Sequence, residues 1–216
     1  MRKIQKMCAA LLAGVMTVGT FAPSVFADEA PAELTDEQVI NVRTTAFGNN
    51  YDVQDMGWRW MMAACYEIIP WCSRENGDEF ILAGAESVDI SDDGTVYTYH
   101  LREDAKWSDG VPVTAHDYEY GWKRLLNPDY AYDYASFIYN VVGAEEYNSG
   151  EGSADDVMAV AVDDYTFEVT LKVADPTFES KLVATPLYPT REDLAEAAGD
   201  NWGKDWTLCV YNGPFC

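Results

Sequence analysis

Residues Tyr97 to Pro128 read YTYHLREDAKWSDGVPVTAHDYEYGWKRLLNP, a series of local signals that few folds accommodate. From Val96 to Leu101, Tyr97, Tyr99 and Leu101 fall on one face and Val96, Thr98 and His100 on the other, the period of a half-buried strand. Ser108-Asp109-Gly110 then predicts a turn, with Gly110 free to take a backbone angle that other residues resist. Thr114 and Asp117 have capping-box spacing, so a helix starts there. Tyr118, Trp122, Leu125 and Leu126 make one apolar stripe along it. Asn127-Pro128 ends it, since a residue before proline avoids the α region.

Other stretches extend this mixture of helix and strand. Val39 to Thr44 reads as a strand, and Asp55 to Ile69 as a segment that turns helical by Trp58. Val88–Ile90 and Val96–Leu101 form a hairpin across Ser91-Asp92-Asp93-Gly94-Thr95. A second hairpin joins Val157–Val162 to Tyr165–Leu171, with Tyr165, Phe167, Val169 and Leu171 on one face. Tyr132 to Asn148 reads as helix with breaks. Phe178–Thr185 and Arg191–Ala198 are short helices, the latter stopped at Gly199. Strict βαβ alternation is absent, so a simple doubly wound sheet is not indicated.

The words YTYHLREDAKWSDGVPVTAHDYEYGWKR, YDYASFIY, AVAVDDYTFEVTL and YNGPF stand in this order along the chain. In order and spacing they resemble the extracellular solute-binding proteins of family 5, the peptide-binding components of ABC importers. The resemblance covers nearly all of Val39 to Phe215. It implies a mixed α/β fold of the type II periplasmic-binding-protein class: a first lobe carrying an inserted subdomain, with the second lobe missing. Residues 28–66 and 190–216 would then be parts of the discontinuous first lobe, and 67–189 the insertion. Relatives run to more than twice this length, so the chain is expected to be an N-terminal fragment or a truncated gene product.

The N-terminus reads as an export signal. Arg2, Lys3 and Lys6 precede the apolar stretch Met7–Val18, and Val25-Phe26-Ala27 is a cleavage site. That stretch is too short to span a bilayer comfortably. Cys8 stands at its start rather than just after it, which argues against lipidation. Residues 1–27 hold three basic and no acidic residues; their removal leaves 11 Lys+Arg against 37 Asp+Glu, a formal charge of −26. Such a chain repels nucleic acid and anionic lipid, and both drop out as partners. The expected location is extracytoplasmic, at the cell surface or in the periplasm.

Candidate ligand contacts follow from the resemblance. Relatives hold an extended peptide between lobes, pairing its backbone with a strand segment of the first lobe. Counting back from Tyr66-Glu67, that segment is Asp55-Met56-Gly57; the competing reading is the start of a packed helix. Tyr134 matches the tyrosine of the family word PYAS, which faces the cleft, although Asp133 stands where proline is usual. A phenol there can pack on a ligand and still hydrogen bond, or serve packing alone. The carboxylate that captures the peptide amine lies in the second lobe and is not assigned here. Trp107 and Trp122 match structural positions, which favours core packing over a sugar-stacking platform.

Other chemistry is poorly represented. Asp89 to Gly94 opens like a calcium loop, but position twelve would be His100 and a strand follows, so a turn is expected. His100 and His116 lack a partner at ligand spacing, and no metal or cofactor is expected. Cys65, Cys72, Cys209 and Cys216 remain after cleavage. Three pairings are open; the seven-residue spacings make Cys65–Cys72 and Cys209–Cys216 the simplest, with free thiols as the alternative. Acidic pairs lie at turns, and neither a Ser/His/Asp set nor a phosphate-cradling glycine loop occurs.

The expected function is therefore a monomeric, non-enzymatic binding protein that captures oligopeptides and delivers them to membrane permease subunits. A same-fold protein for nickel chelate, haem or oligosaccharide is the alternative. A secreted carbohydrate-active enzyme is a remote one. A single lobe should bind peptide weakly or not at all.

Overall fold

A computed structural model describes residues 50–55, 66, 69–73 and 79–213. All of them fall in one unit, 46–216; the other, 1–45, holds the expected signal and first strand and lies outside the described residues. The expected helix of the Trp58 region lies outside them too.

Among the described residues the first two strands, β1 (Pro70–Ser73) and β2 (Glu79–Leu82), pair antiparallel, which the sequence pattern had not indicated. A four-stranded sheet follows. It is built from two hairpins, β3 (Ala85–Ile90) with β4 (Val96–Leu101), and β5 (Ala159–Asp163) with β6 (Thr166–Thr170). Both hairpins are as the alternation predicts. The new fact is their union: β4 pairs antiparallel with β6, Tyr97 opposite Val169 and Tyr99 opposite Phe167, giving the order β3-β4-β6-β5. Tyr97, Tyr99, Leu101, Phe167 and Val169 are buried on one face; Thr98, His100 and Glu168 line the half-solvated other.

Helix α1 (Ala115–Leu126) covers the apolar face, lying over β5 and β6. Its predicted start is present. The Asp117 carboxylate accepts the Thr114 amide at 2.8 Å and also the Trp107 indole N–H at 3.2 Å. One side chain thus caps the helix and fastens the preceding loop. Burial outweighs these donors and holds the Asp117 carboxyl above its ordinary value. The turn before it is closed by Gly110, at φ +88, whose N–H donates to the Trp107 carbonyl at 2.8 Å.

Tyr118, Trp122, Leu125 and Leu126 are all buried, as the stripe requires. Trp122 meets Phe167 edge-on, centroids 5.1 Å apart, and donates to the Leu187 carbonyl at 3.1 Å. Asn127 ends the helix with extended backbone before Pro128. Glu119 fixes α1 to the sheet by accepting the Ala161 amide at 2.8 Å, beside the irregularity in β5 between Ala161 and Asp163.

The broken helical stretch resolves into a 3-10 turn, Ala135–Ile138, and α2 (Ala144–Asn148). Helix α3 spans only Phe178–Lys181, shorter than expected, and a 3-10 turn at Thr185–Leu187 carries Pro186. Helix α4 (Glu192–Ala198) stops at Gly199 as expected.

Tyr66 is buried within an aromatic group. Its ring lies 5.6 Å from both Tyr188 and Tyr211 and 6.1 Å from Trp107, and its hydroxyl donates to the Val210 carbonyl at 3.1 Å. The segment after α4 is thereby packed against the turn that precedes α1.

Candidate functional site

The segment Asn50–Asp55 folds back on itself through short polar side chains. Asn50 Oδ1 accepts the Asp52 amide at 3.0 Å, and Asp52 Oδ1 accepts the Gln54 amide at 3.1 Å. Gly203 closes over it at φ +74, with its carbonyl accepting the Tyr51 amide. A Cβ at position 203 would stand 2.6 Å from the Asp52 nitrogen, so only glycine fits there.

Asp52 and Gln54 are buried because Arg124 comes to meet them from the last turn of α1. Arg124 Nη1 donates to Asp52 Oδ1 at 2.9 Å and to Gln54 Oε1 at 2.6 Å; Nη2 donates to Asp52 Oδ2 at 2.7 Å. This is the two-pronged geometry that a guanidinium favours with a carboxylate. Both side chains of the pair are only 6% exposed. Tyr132 adds a hydroxyl donor to Asp52 Oδ2 at 2.8 Å, and Gln54 Nε2 donates to Thr190 Oγ1 at 2.8 Å. The guanidinium carbon lies 4.8 Å from the Tyr130 ring centre and 5.3 Å from that of Tyr132, within cation–π range.

Electrostatics follow from this packing. Burial works against the Arg124 charge, but the Asp52 carboxylate outweighs it and holds the guanidinium pKa above its ordinary value. Burial, then the Asp52 charge, pushes the Tyr132 phenol far above its own, so Tyr132 stays a donor.

Beside this network lies a depression of about 150 Å³, lined by Gln54, Asp55, Tyr130, Ala131, Tyr132 and Asp133. Ala131, at φ +50, is the only non-glycine residue with positive φ among the described residues. Backbone held in that region tends to occur where the surroundings fix a loop. A larger groove, about 370 Å³, runs between α1 and α4, where Tyr120 donates to Glu196 at 2.8 Å.

The expected contact residues fall partly into this arrangement. Asp55 is exposed in the wall of the depression, and Asp133 lines it too. Met56 and Gly57 lie outside the described residues. Tyr134 is half-buried next to the depression without lining it, its ring edge-on to Phe137 at 5.1 Å. The Arg124 network was missed. No periodicity marks it, because Asp52 and Arg124 are 72 positions apart.

Trp107 and Trp122 are core residues, 2% and 0% exposed. The stretch Ser91–Thr95 is a hairpin turn in which Asp93 accepts from Ser91 and Thr95. His100 pairs with Asp89 at 3.0 Å and His116 with Asp164 at 3.4 Å; among the described residues no cluster suits a metal ion. Cys209 is a free thiol, which burial and then the Asp52 and Asp205 charges push up to about 11. Cys65 and Cys216 lie outside the described residues, as does the side chain of Cys72.

Comparison with known proteins agrees with this architecture. The profile of the bacterial extracellular solute-binding proteins, family 5 Middle, matches residues 79–216. The chain belongs to this family. The dipeptide-binding protein DppE of Bacillus subtilis is 42% identical over 133 residues, covering 62% of this chain and 24% of DppE. The structure of Listeria monocytogenes OppA bound to peptide superposes with a TM-score of 0.77 at 32% identity, over 83% of this chain and 36% of that one. Haemophilus influenzae OppA in complex with RPPGFSPFR gives 0.71 at 30% identity, over 76% and 33%. The chain thus spans about a quarter of the curated relative, and its mixed α/β fold is that of the type II periplasmic-binding-protein class, as expected.

Proposed function

We propose that this chain contributes one wall of an extracytoplasmic peptide-binding cleft, as part of the substrate-binding component of an ABC importer. The observation that carries the reading is its likeness to two solved peptide complexes, at TM-scores of 0.77 and 0.71. In this reading the depression is the part of the chain that faces the peptide. It is small and mostly polar, suited to main-chain hydrogen bonding and wet side-chain contacts.

In this reading Asp55-Met56-Gly57 offers backbone groups to an extended peptide, and Tyr134 and its loop form the adjoining edge. Residues 67–189 form the inserted subdomain, and residues 28–66 and 190–216 belong to the lobe that carries it. Residues 1–27 direct export and are removed near Ala27. The protein acts as a monomer without catalysis, and the loaded form docks on membrane permease subunits after the lobes close.

Calorimetric titration tests the proposal. RPPGFSPFR and a pool of random pentapeptides are added to the chain and to a chimera that completes it with the remaining residues of B. subtilis DppE. Micromolar binding by the chimera, and binding at least a hundredfold weaker by the chain alone, is expected. A chimera that folds yet ignores both probes, while retaining a non-peptide solute, would overturn the peptide reading.

A further inference from the structure

We propose that Arg124 is a positioning residue for the depression, setting the distance between its two sides. Gln54 and Asp55 of the segment 50–55 form one side and residues 130–133 the other. The connection is Asp52, whose carboxylate takes both prongs of the Arg124 guanidinium and the Tyr132 hydroxyl, all between 2.7 and 2.9 Å. Gln54 takes a further Arg124 N–H at 2.6 Å and passes the connection to Thr190. On the opposite side, the faces of Tyr130 and Tyr132 lie against the same guanidinium, their rings 5.5 Å apart. Ala131 stands between those two tyrosines with its strained φ of +50, so the loop is held in a shape it would not choose alone.

Stability does not explain this arrangement by itself. A buried ion pair often contributes no more than an apolar pair of the same volume, because both charges must leave water. What an arginine supplies that an apolar residue cannot is direction: a rigid planar fork whose donors and faces fix several partners at once. Here those partners come from both sides of the depression. The functional consequence rests on the peptide reading given above, whereas the structural claim does not.

Two substitutions test it. Arg124→Lys keeps the charge and removes the fork; Tyr132→Phe keeps the ring and removes the one hydroxyl that ties the loop to Asp52. Amide hydrogen exchange is followed by mass spectrometry in the chain, and the affinity for RPPGFSPFR and the pentapeptide pool in the DppE chimera. Exchange at 130–134 should quicken at least tenfold in both variants, with β4 and β6 unchanged, and peptide affinity should fall about tenfold. Unaltered exchange at 130–134 in Tyr132→Phe would overturn the proposal. So would acceleration spread equally over β4 and β6, which is the signature of simple destabilisation. If the unsubstituted chimera binds no peptide, the peptide reading fails, while the exchange result still decides the role of Arg124.

Discussion

The two sides of helix α1 are held in place by different physics. Toward the sheet, Tyr118 and Trp122 meet Phe167, and with the buried Leu125 and Leu126 they form an apolar layer whose strength grows with buried area and tolerates small shifts. Toward the 50–55 segment, Arg124 meets Asp52, Gln54 and Tyr132 through hydrogen bonds that work only at set distances and angles. The first side specifies that the unit folds. The second specifies where two loops stand, and it borders the depression.

Four measurements probe that contrast. The largest effect is expected from Trp122→Ala, which empties the centre of the apolar layer: about 4 kcal/mol of stability lost in urea denaturation. A loss below about 1 kcal/mol would mean that the layer is not the main source of stability.

Asp52→Ala should follow, costing about 3 kcal/mol, because it leaves the Arg124 charge buried without its carboxylate. The paired change Asp52→Leu with Arg124→Met should recover most of that loss in the same assay. If the pair remains as unstable as the single change, the ion pair is itself a major source of stability, and the contrast drawn above fails.

A smaller effect is expected at Asp175, whose carboxyl the Lys181 ammonium, at 2.6 Å, and Thr177 hold down at about 2. A carboxyl lowered on folding stabilises fully above its unfolded value of 3.8 and loses that contribution as pH falls toward 2. Lys181 is 35% exposed, so screening limits the gain to under about 1 kcal/mol. Asp175→Asn should therefore lower Tm slightly at pH 6 and leave it unchanged near pH 2. A difference that grows on acidification would reverse the assignment.

The smallest change is expected from Tyr99→Phe. The Tyr99 hydroxyl is buried without a hydrogen-bond partner among the described residues. Removing an unsatisfied polar group should leave the urea midpoint equal or slightly higher, within about 1 kcal/mol. A clear loss would reveal a partner for that hydroxyl.

The elements visible in the sequence are those whose signals are local. Alternation along 96–101 and 165–171 places Tyr97, Tyr99, Phe167 and Val169 inward, and the Thr114–Asp117 spacing and Asn127-Pro128 bound α1, all as observed. The pairing of β1 with β2 left no comparable trace. Of the residues picked out by resemblance, Asp55 lies in the wall of the depression and Tyr134 beside it without lining it. Arg124 was not picked out, because it falls roughly 160° around the helix from Trp122, on what reads as the polar face.

By itself, then, the sequence determined which segments become strand and helix and which of their faces turn inward, since periodicity is a property of neighbouring residues. Only the tertiary structure decided that β4 zips to β6, and that the polar side of α1 is covered by 50–55 and 130–132. Those outcomes depend on partners some 70 residues apart, such as Asp52 and Arg124, or Thr98 and Glu168. Pairing at that range is chosen by the geometry of the assembled fold, and no local pattern encodes it.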